Sequence, residues 1–176
     1  GGTAGIAFAK YAGGGYTLAV TPMGRCAVAT CANSLVTTST ANITLTGNTL
    51  SAGTGVNTYT SGTLTLQPSA TSFTSALSWP VTNLNLSSDV SGLTIGKDTG
   101  TTAHTDTVTI ASNTTINGPI SVYANTINVS ANLDTTGGAA NGDILLKASG
   151  NISLASGKTI TTTGGDVTFW ADSDGN

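Results

Sequence analysis

Acid–base and nucleophilic chemistry needs titratable groups, and this chain has few. Its eight acids are all aspartates, its bases are Lys10, Arg25, Lys97, Lys147 and Lys158, and its one histidine is His104. Serine and threonine hydroxyls abound, but His104, in Thr102-Ala-His-Thr-Asp106, would have to serve them alone as general base. It reads as a loop residue, and no enzyme is expected. Asp134, Asp143 and Asp166 sit beside Gly and Thr in turns. Asp172-Ser-Asp174-Gly-Asn has the alternating oxygens and glycine bend of a calcium loop, without its closing bidentate acid. A polar turn explains the same residues, so Asp172 and Asp174 stand only as a calcium candidate and no cofactor is expected. Cys26 and Cys31 are the only cysteines. So close together in a chain rich in Ser, Thr and Asn, they are expected to form a small disulfide loop if the protein is extracellular, with two free thiols as the alternative. With one histidine they fall short of a zinc site.

Binding chemistry is more promising at Tyr123, Lys147 and Trp170. These are the sixth residues of a phrase stated three times: Gly118-Pro-Ile-Ser-Val-Tyr-Ala, Gly142-Asp-Ile-Leu-Leu-Lys-Ala and Gly165-Asp-Val-Thr-Phe-Trp-Ala. Aromatic faces beside a cation can stack on sugar rings, or on each other and the lysine stem. Either use requires the three phrases to lie in register.

The spacing supplies that register. Ile120, Ile144 and Val167 are 24 and 23 residues apart, and between the phrases lie Ile127-Asn-Val129 and Ile152-Ser-Leu154. Ala155-Ser-Gly-Lys-Thr-Ile160 also echoes Ala111-Ser-Asn-Thr-Thr-Ile116. Alternating apolar residues at a fixed step separated by turns indicate an all-β solenoid, a parallel β-helix with turns of roughly 20–25 residues. Alternation sends Ile144, Leu146 and Ala148 inward and Leu145 and Lys147 outward. Ile120, Ile144 and Val167 should then stack in the core, as should Val122, Leu146 and Phe169.

Composition agrees. Charged residues are 7% of the 176, glutamate is absent, and 38% are hydrophobic. Like charges stacked turn over turn repel, whereas Ser, Thr and Asn can hydrogen-bond along the stack. A net charge of −3 gives no reason to expect nucleic acid as a partner. No apolar run suits a membrane span, and insertion is not expected. The opening Gly1-Gly2, without methionine, suggests a processed product or an excised piece.

Residues 1–35 stand outside the repeat and 36–176 form the solenoid. Ile6-Ala-Phe-Ala-Lys-Tyr11, glycines 13–15 and Tyr16-Thr-Leu-Ala-Val-Thr21 read as a hairpin, a cap or a donor strand for a neighbouring copy. Ile43-Thr-Leu45, Leu64-Thr-Leu66, Leu84-Asn-Leu86, Leu93-Thr-Ile95 and Val108-Thr-Ile110 continue the β pattern with ragged spacing. Ser78-Trp-Pro-Val81 breaks it, and Pro80 belongs at a corner or strand start.

Leu93-Thr-Ile-Gly-Lys97, Ile116-Asn-Gly-Pro-Ile-Ser-Val-Tyr123, Gly142-Asp-Ile-Leu-Leu-Lys-Ala-Ser-Gly-Asn-Ile152 and Gly165-Asp-Val-Thr-Phe-Trp-Ala-Asp-Ser-Asp-Gly-Asn176 resemble repeats of large bacterial filamentous-haemagglutinin-like surface proteins. That resemblance implies a right-handed β-helix, export to the bacterial cell surface, and a role in adhesion or extracellular fibres.

The expectation is an extracellular structural stalk or fibre segment that associates head to tail with other copies of itself. The alternative is a module binding surface polysaccharide through Tyr123, Lys147 and Trp170. Ice binding is a further alternative, raised by the pairs Thr44/Thr46, Thr63/Thr65 and Thr107/Thr109.

Overall fold

Threonine, valine, isoleucine and leucine at alternate positions favour extended backbone with one buried face. The computed structural model describes residues 6–8, 34–36, 42–52, 56–86, 90–137 and 142–175, and these contain strands and turns but no helix. In chain order the strands are β1 (Ile6–Phe8), β2 (Ser34–Val36), β3 (Ile43–Thr46), β4 (Val56–Tyr59), β5 (Thr63–Gln67) and β6 (Leu77–Trp79). Next come β7 (Leu84–Leu86), β8 (Gly92–Ile95), β9 (Thr107–Ile110), β10 (Thr114–Thr115), β11 (Ile120–Ala124) and β12 (Thr126–Val129). The last are β13 (Leu133–Asp134), β14 (Ile144–Ala148), β15 (Ile152–Leu154), β16 (Ile160–Thr161) and β17 (Val167–Trp170).

They form four sheets: β1-β3-β5-β8-β11-β14-β17, β6-β9-β12-β15, β10-β13-β16 and β2-β4-β7. The pairings are parallel. From β8 to β17 the chain visits the first three sheets in fixed rotation, one strand in each. Ile43, Leu64, Leu93, Ile120, Ile144 and Val167 occupy one row of the largest sheet. Leu77, Val108, Ile127 and Ile152 make the corresponding row of the second.

These rows meet in one apolar core, which includes Leu64, Ile95, Ile110, Ile120, Ile127, Leu133 and Leu146. Polar side chains tie the turns together outside it. Asn113 Oδ1 accepts from the Asn132 N–H at 3.0 Å, and Asn132 Oδ1 accepts from the Thr159 N–H at 3.0 Å. Asn42 accepts from the Thr63 N–H at 2.8 Å, and Asp143 from the Asp166 N–H at 2.9 Å. Each joins one layer to the next and contributes about 1 kcal/mol. The abundance of uncharged polar residues follows from this use.

Several expectations need correction. The ragged series mixed three sheets: Leu84–Leu86 lies beside β4, and Val108–Ile110 lies in the second sheet. Along the largest sheet the steps from Ile43 are 21, 29, 27, 24 and 23 residues, ending at Val167. The supposed break at Ser78-Trp79 is the strand β6, with Trp79 buried in register with Ile110. The Trp79 indole N–H bonds Thr114 Oγ1 at 2.9 Å. Pro80 follows the strand through a cis peptide. The echo of 111–116 in 155–160 is out of step, since Ile160 pairs with Leu133 and Leu133 with Thr114. Val167 and Phe169 are 45% and 48% exposed, although their register is as expected, because β17 is the edge strand of its sheet.

Ile6–Phe8 pairs in parallel with Ile43–Leu45. The second arm of the expected hairpin, Tyr16–Thr21, lies outside the described residues, as do Cys26 and Cys31.

Candidate functional site

Tyr123, Lys147 and Trp170 lie in one row, as the repeated phrase requires. The row is not an open surface, however. Lys147, expected to point outward onto the surface, is buried. Its Nζ lies 2.8 Å from Asp98 Oδ1 and 4.6 Å from the centre of the Trp170 ring. The ammonium bonds a carboxylate from another turn while an aromatic face covers it. Tyr123 is half-buried and Trp170 is 50% exposed. Bonds from Lys147 Nζ and the Gly100 N–H hold the Asp98 carboxyl below the usual carboxylate range.

Asp98 belongs to a loop, residues 97–106, that joins β8 to β9. The loop begins after Gly96, whose φ of +87° suits glycine and whose missing Cβ leaves room for the Tyr123 carbonyl. It then runs along the flank of the stack and bonds several turns. The His104 N–H donates to Ser149 Oγ at 2.9 Å, and the Thr105 N–H to Ser72 Oγ at 2.9 Å. The Phe73 N–H donates to Asp106 Oδ2 at 3.0 Å. The Asn125 and Thr126 N–H groups both reach the Asp106 carbonyl at 3.1 Å.

His104 lies in a loop, as expected, and is there a buried member of a polar cluster. Its Nε2 lies 3.0 Å from Thr99 Oγ1 and its Nδ1 lies 3.7 Å from Asp106 Oδ1. The order hydroxyl, imidazole, carboxylate is that of a nucleophilic triad, but two distances argue against a proton relay. Thr99 Oγ1 donates to its own loop at Thr102 O, 2.7 Å away. The imidazole–carboxylate gap exceeds hydrogen-bond length. Burial is the largest influence on the ring and holds its pKa below the ordinary 6.5. Sequence reasoning missed this cluster because the residues that anchor its loop, Ser72 and Ser149, lie far from it in the chain. The signal lay in the two longest steps, 29 and 27 residues, which contain the contacting segments 70–76 and 97–106.

The remaining candidates have structural partners. The Asp172 and Ser173 N–H groups bond Gly150 O and Ala148 O at 3.1 and 3.0 Å, and the Gly175 N–H closes the turn on Asp172 O. Asp134 takes the Thr136 N–H at 2.8 Å. Among the described residues no three His, Cys, Asp or Glu side chains gather at metal-binding distances. The threonine pairs are divided between sheets, 44/46 and 63/65 on the largest and 107/109 on the second. A shallow hollow between Leu50 and Leu77 is lined by apolar, hydroxyl and amide groups without an ionisable side chain.

At one end of the stack, edge strands β15, β16 and β17 finish three sheets. Leu154, Val167, Phe169 and Trp170 are the exposed large hydrophobics there. Compared with family models, with curated proteins and with solved structures, the chain matches none.

Proposed function

We propose that the chain is a right-handed parallel β-helix serving as a structural stalk or fibre segment at the bacterial surface, associating head to tail with copies of itself. The observation that carries this reading is the long parallel sheet in which Ile43, Leu64, Leu93, Ile120, Ile144 and Val167 repeat one row from strand to strand. The fixed rotation of strands through three sheets supports a coil, in which each added layer repeats the last. A head-to-tail contact between unlike ends does not close, so it propagates as a filament. The wording of the repeats supports the surface location and the handedness. Electron micrographs of the purified chain test the reading: filaments one stack wide are expected, and a uniform field of single particles at high concentration would overturn it.

A second reading has its own support. The half-exposed Trp170 ring, with the Lys147 ammonium against it, is a platform on which a sugar could stack. A glycan array would favour this polysaccharide-binding role if binding occurs and is lost in Trp170→Ala with the fold intact.

A further inference from the structure

In a stack of repeats each layer ordinarily bonds only the layers beside it, so layers can come away one at a time. Four successive layers here each place one strand in the largest sheet and one in the second: β5 with β6, β8 with β9, β11 with β12 and β14 with β15. The bonds from Asn113 to Asn132 and from Asn132 to Thr159 are of the neighbouring kind.

Residues 97–106 do something different. They form the corner of the β8–β9 layer, yet two of their bonds pass over the β11–β12 layer and reach β14–β15. The His104 N–H donates to Ser149 Oγ at 2.9 Å, and Lys147 Nζ donates to Asp98 Oδ1 at 2.8 Å. The skipped layer leaves room for this because Asn125 alone stands between β11 and β12. Asn125 is itself caught underneath. Its N–H bonds the Asp106 carbonyl at 3.1 Å, and its Oδ1 lies 3.4 Å from Ser149 Oγ. On the other side, the Thr105 N–H and the Asp106 carboxylate hold Ser72 and Phe73, from the corner between β5 and β6.

The loop is braced for the task. Asp98 Oδ1 also accepts the Gly100 N–H at 3.0 Å, and Thr99 Oγ1 donates to the Thr102 carbonyl at 2.7 Å. The Thr102 N–H returns to the Thr99 carbonyl at 3.1 Å. A loop tied by its own bonds has less freedom left to lose when it meets the stack. His104, Ser149 and Lys147 are all buried, so water does not readily replace a bond broken there. Asp98 is 55% exposed, which makes its bond the weaker of the two.

We propose that residues 97–106 are a staple: by bonding across a skipped layer they make the three layers from β8 to β15 open as one unit. Peeling of the stack stops where it meets that unit. The device is independent of the stalk reading and would act in a monomer or a filament.

Two matched amides report on the seams inside the stapled unit. Leu93 and Ile120 are buried and in register, and each N–H bonds a carbonyl of the next layer at 2.9 Å, Pro119 O and Asp143 O respectively. Amide exchange of the full chain, followed through sub-denaturing urea, measures the opening that frees each one. In the wild type the two should show the same protection and the same dependence on urea. Ser149→Ala leaves the His104 N–H without its acceptor, and Asp98→Ala releases Lys147. Combined, they should let the β14–β15 layer leave alone, with Ile120 falling about tenfold or more below Leu93 in protection. Ser72→Ala removes a bond to the adjacent layer outside the unit and should leave the two amides in step. Separate openings of Leu93 and Ile120 in the wild type would overturn the proposal, whether or not any variant folds. So would a double variant in which they stay in step, or their separation in Ser72→Ala.

Discussion

The same seven-residue phrase is spelled out three times, yet its inner copies and its last copy have opposite surroundings. Val122 and Leu146 are 0% exposed, while Phe169, in register above them, is 48% exposed. The difference lies in neighbours. β11 and β14 each have a strand on both sides, and β17 has one on one side only. Alternation decides which way a side chain points, whereas the next layer decides whether it is buried.

The sharpest way to break this comparison is to put a charge in each place. Ile144→Asp buries an unpaired carboxylate in the core and should cost about 4 kcal/mol or more, or prevent folding outright. Phe169→Asp should cost the isolated chain less than about 1 kcal/mol, because water already reaches that site. Equal losses in urea denaturation would refute the distinction.

A smaller effect separates the flank from the core. Gly96→Ala forces a side chain into a left-handed backbone position against the Tyr123 carbonyl and should lower stability by about 2 kcal/mol. Thermal unfolding followed by circular dichroism would register it. Gly164→Ala has a similar positive φ but meets nothing within 4 Å, so it should lose about half as much.

Lys147→Ala removes the bond to Asp98 and the cover over Trp170. Asp98 is 55% exposed and can turn to water, so the expected cost is about 1 kcal/mol. A double-mutant cycle with Asp98→Ala would isolate the pair's share, and a coupling near zero would assign the whole cost to lost packing.

The mildest effect is that of pH. The folded His104 has a depressed pKa, so the unfolded chain binds more protons below 6.5. Its stabilising contribution is fully present above that value and is lost as pH falls toward the folded pKa. The urea midpoint should therefore decline gently from about pH 7 to about pH 5 in the wild type and stay level in His104→Gln.

Where the repeat is strict, the fold is legible from the chain. Ile120, Ile144 and Val167 were placed in register by spacing alone, as were Ile127 with Ile152 and Val129 with Leu154. Between residues 43 and 110 the same reasoning chained together strands of different sheets, because Ile-x-Leu looks alike on any face. Of the candidate site, the row of Tyr123, Lys147 and Trp170 was readable. The burial of Lys147 was not, since it depends on Asp98, which is 49 residues away. The His104 cluster was hidden for the same reason. Periodicity locates what repeats, and this loop is an insertion that does not.

The head-to-tail stack stands or falls most directly on sedimentation velocity of the chain beside its Val167→Asp, Phe169→Asp double variant. The wild type should sediment as a concentration-dependent series of growing species and the variant as a monomer with an unchanged circular dichroism spectrum. A wild type that stays monomeric at high concentration, or a variant that assembles as well as the wild type, would contradict the account.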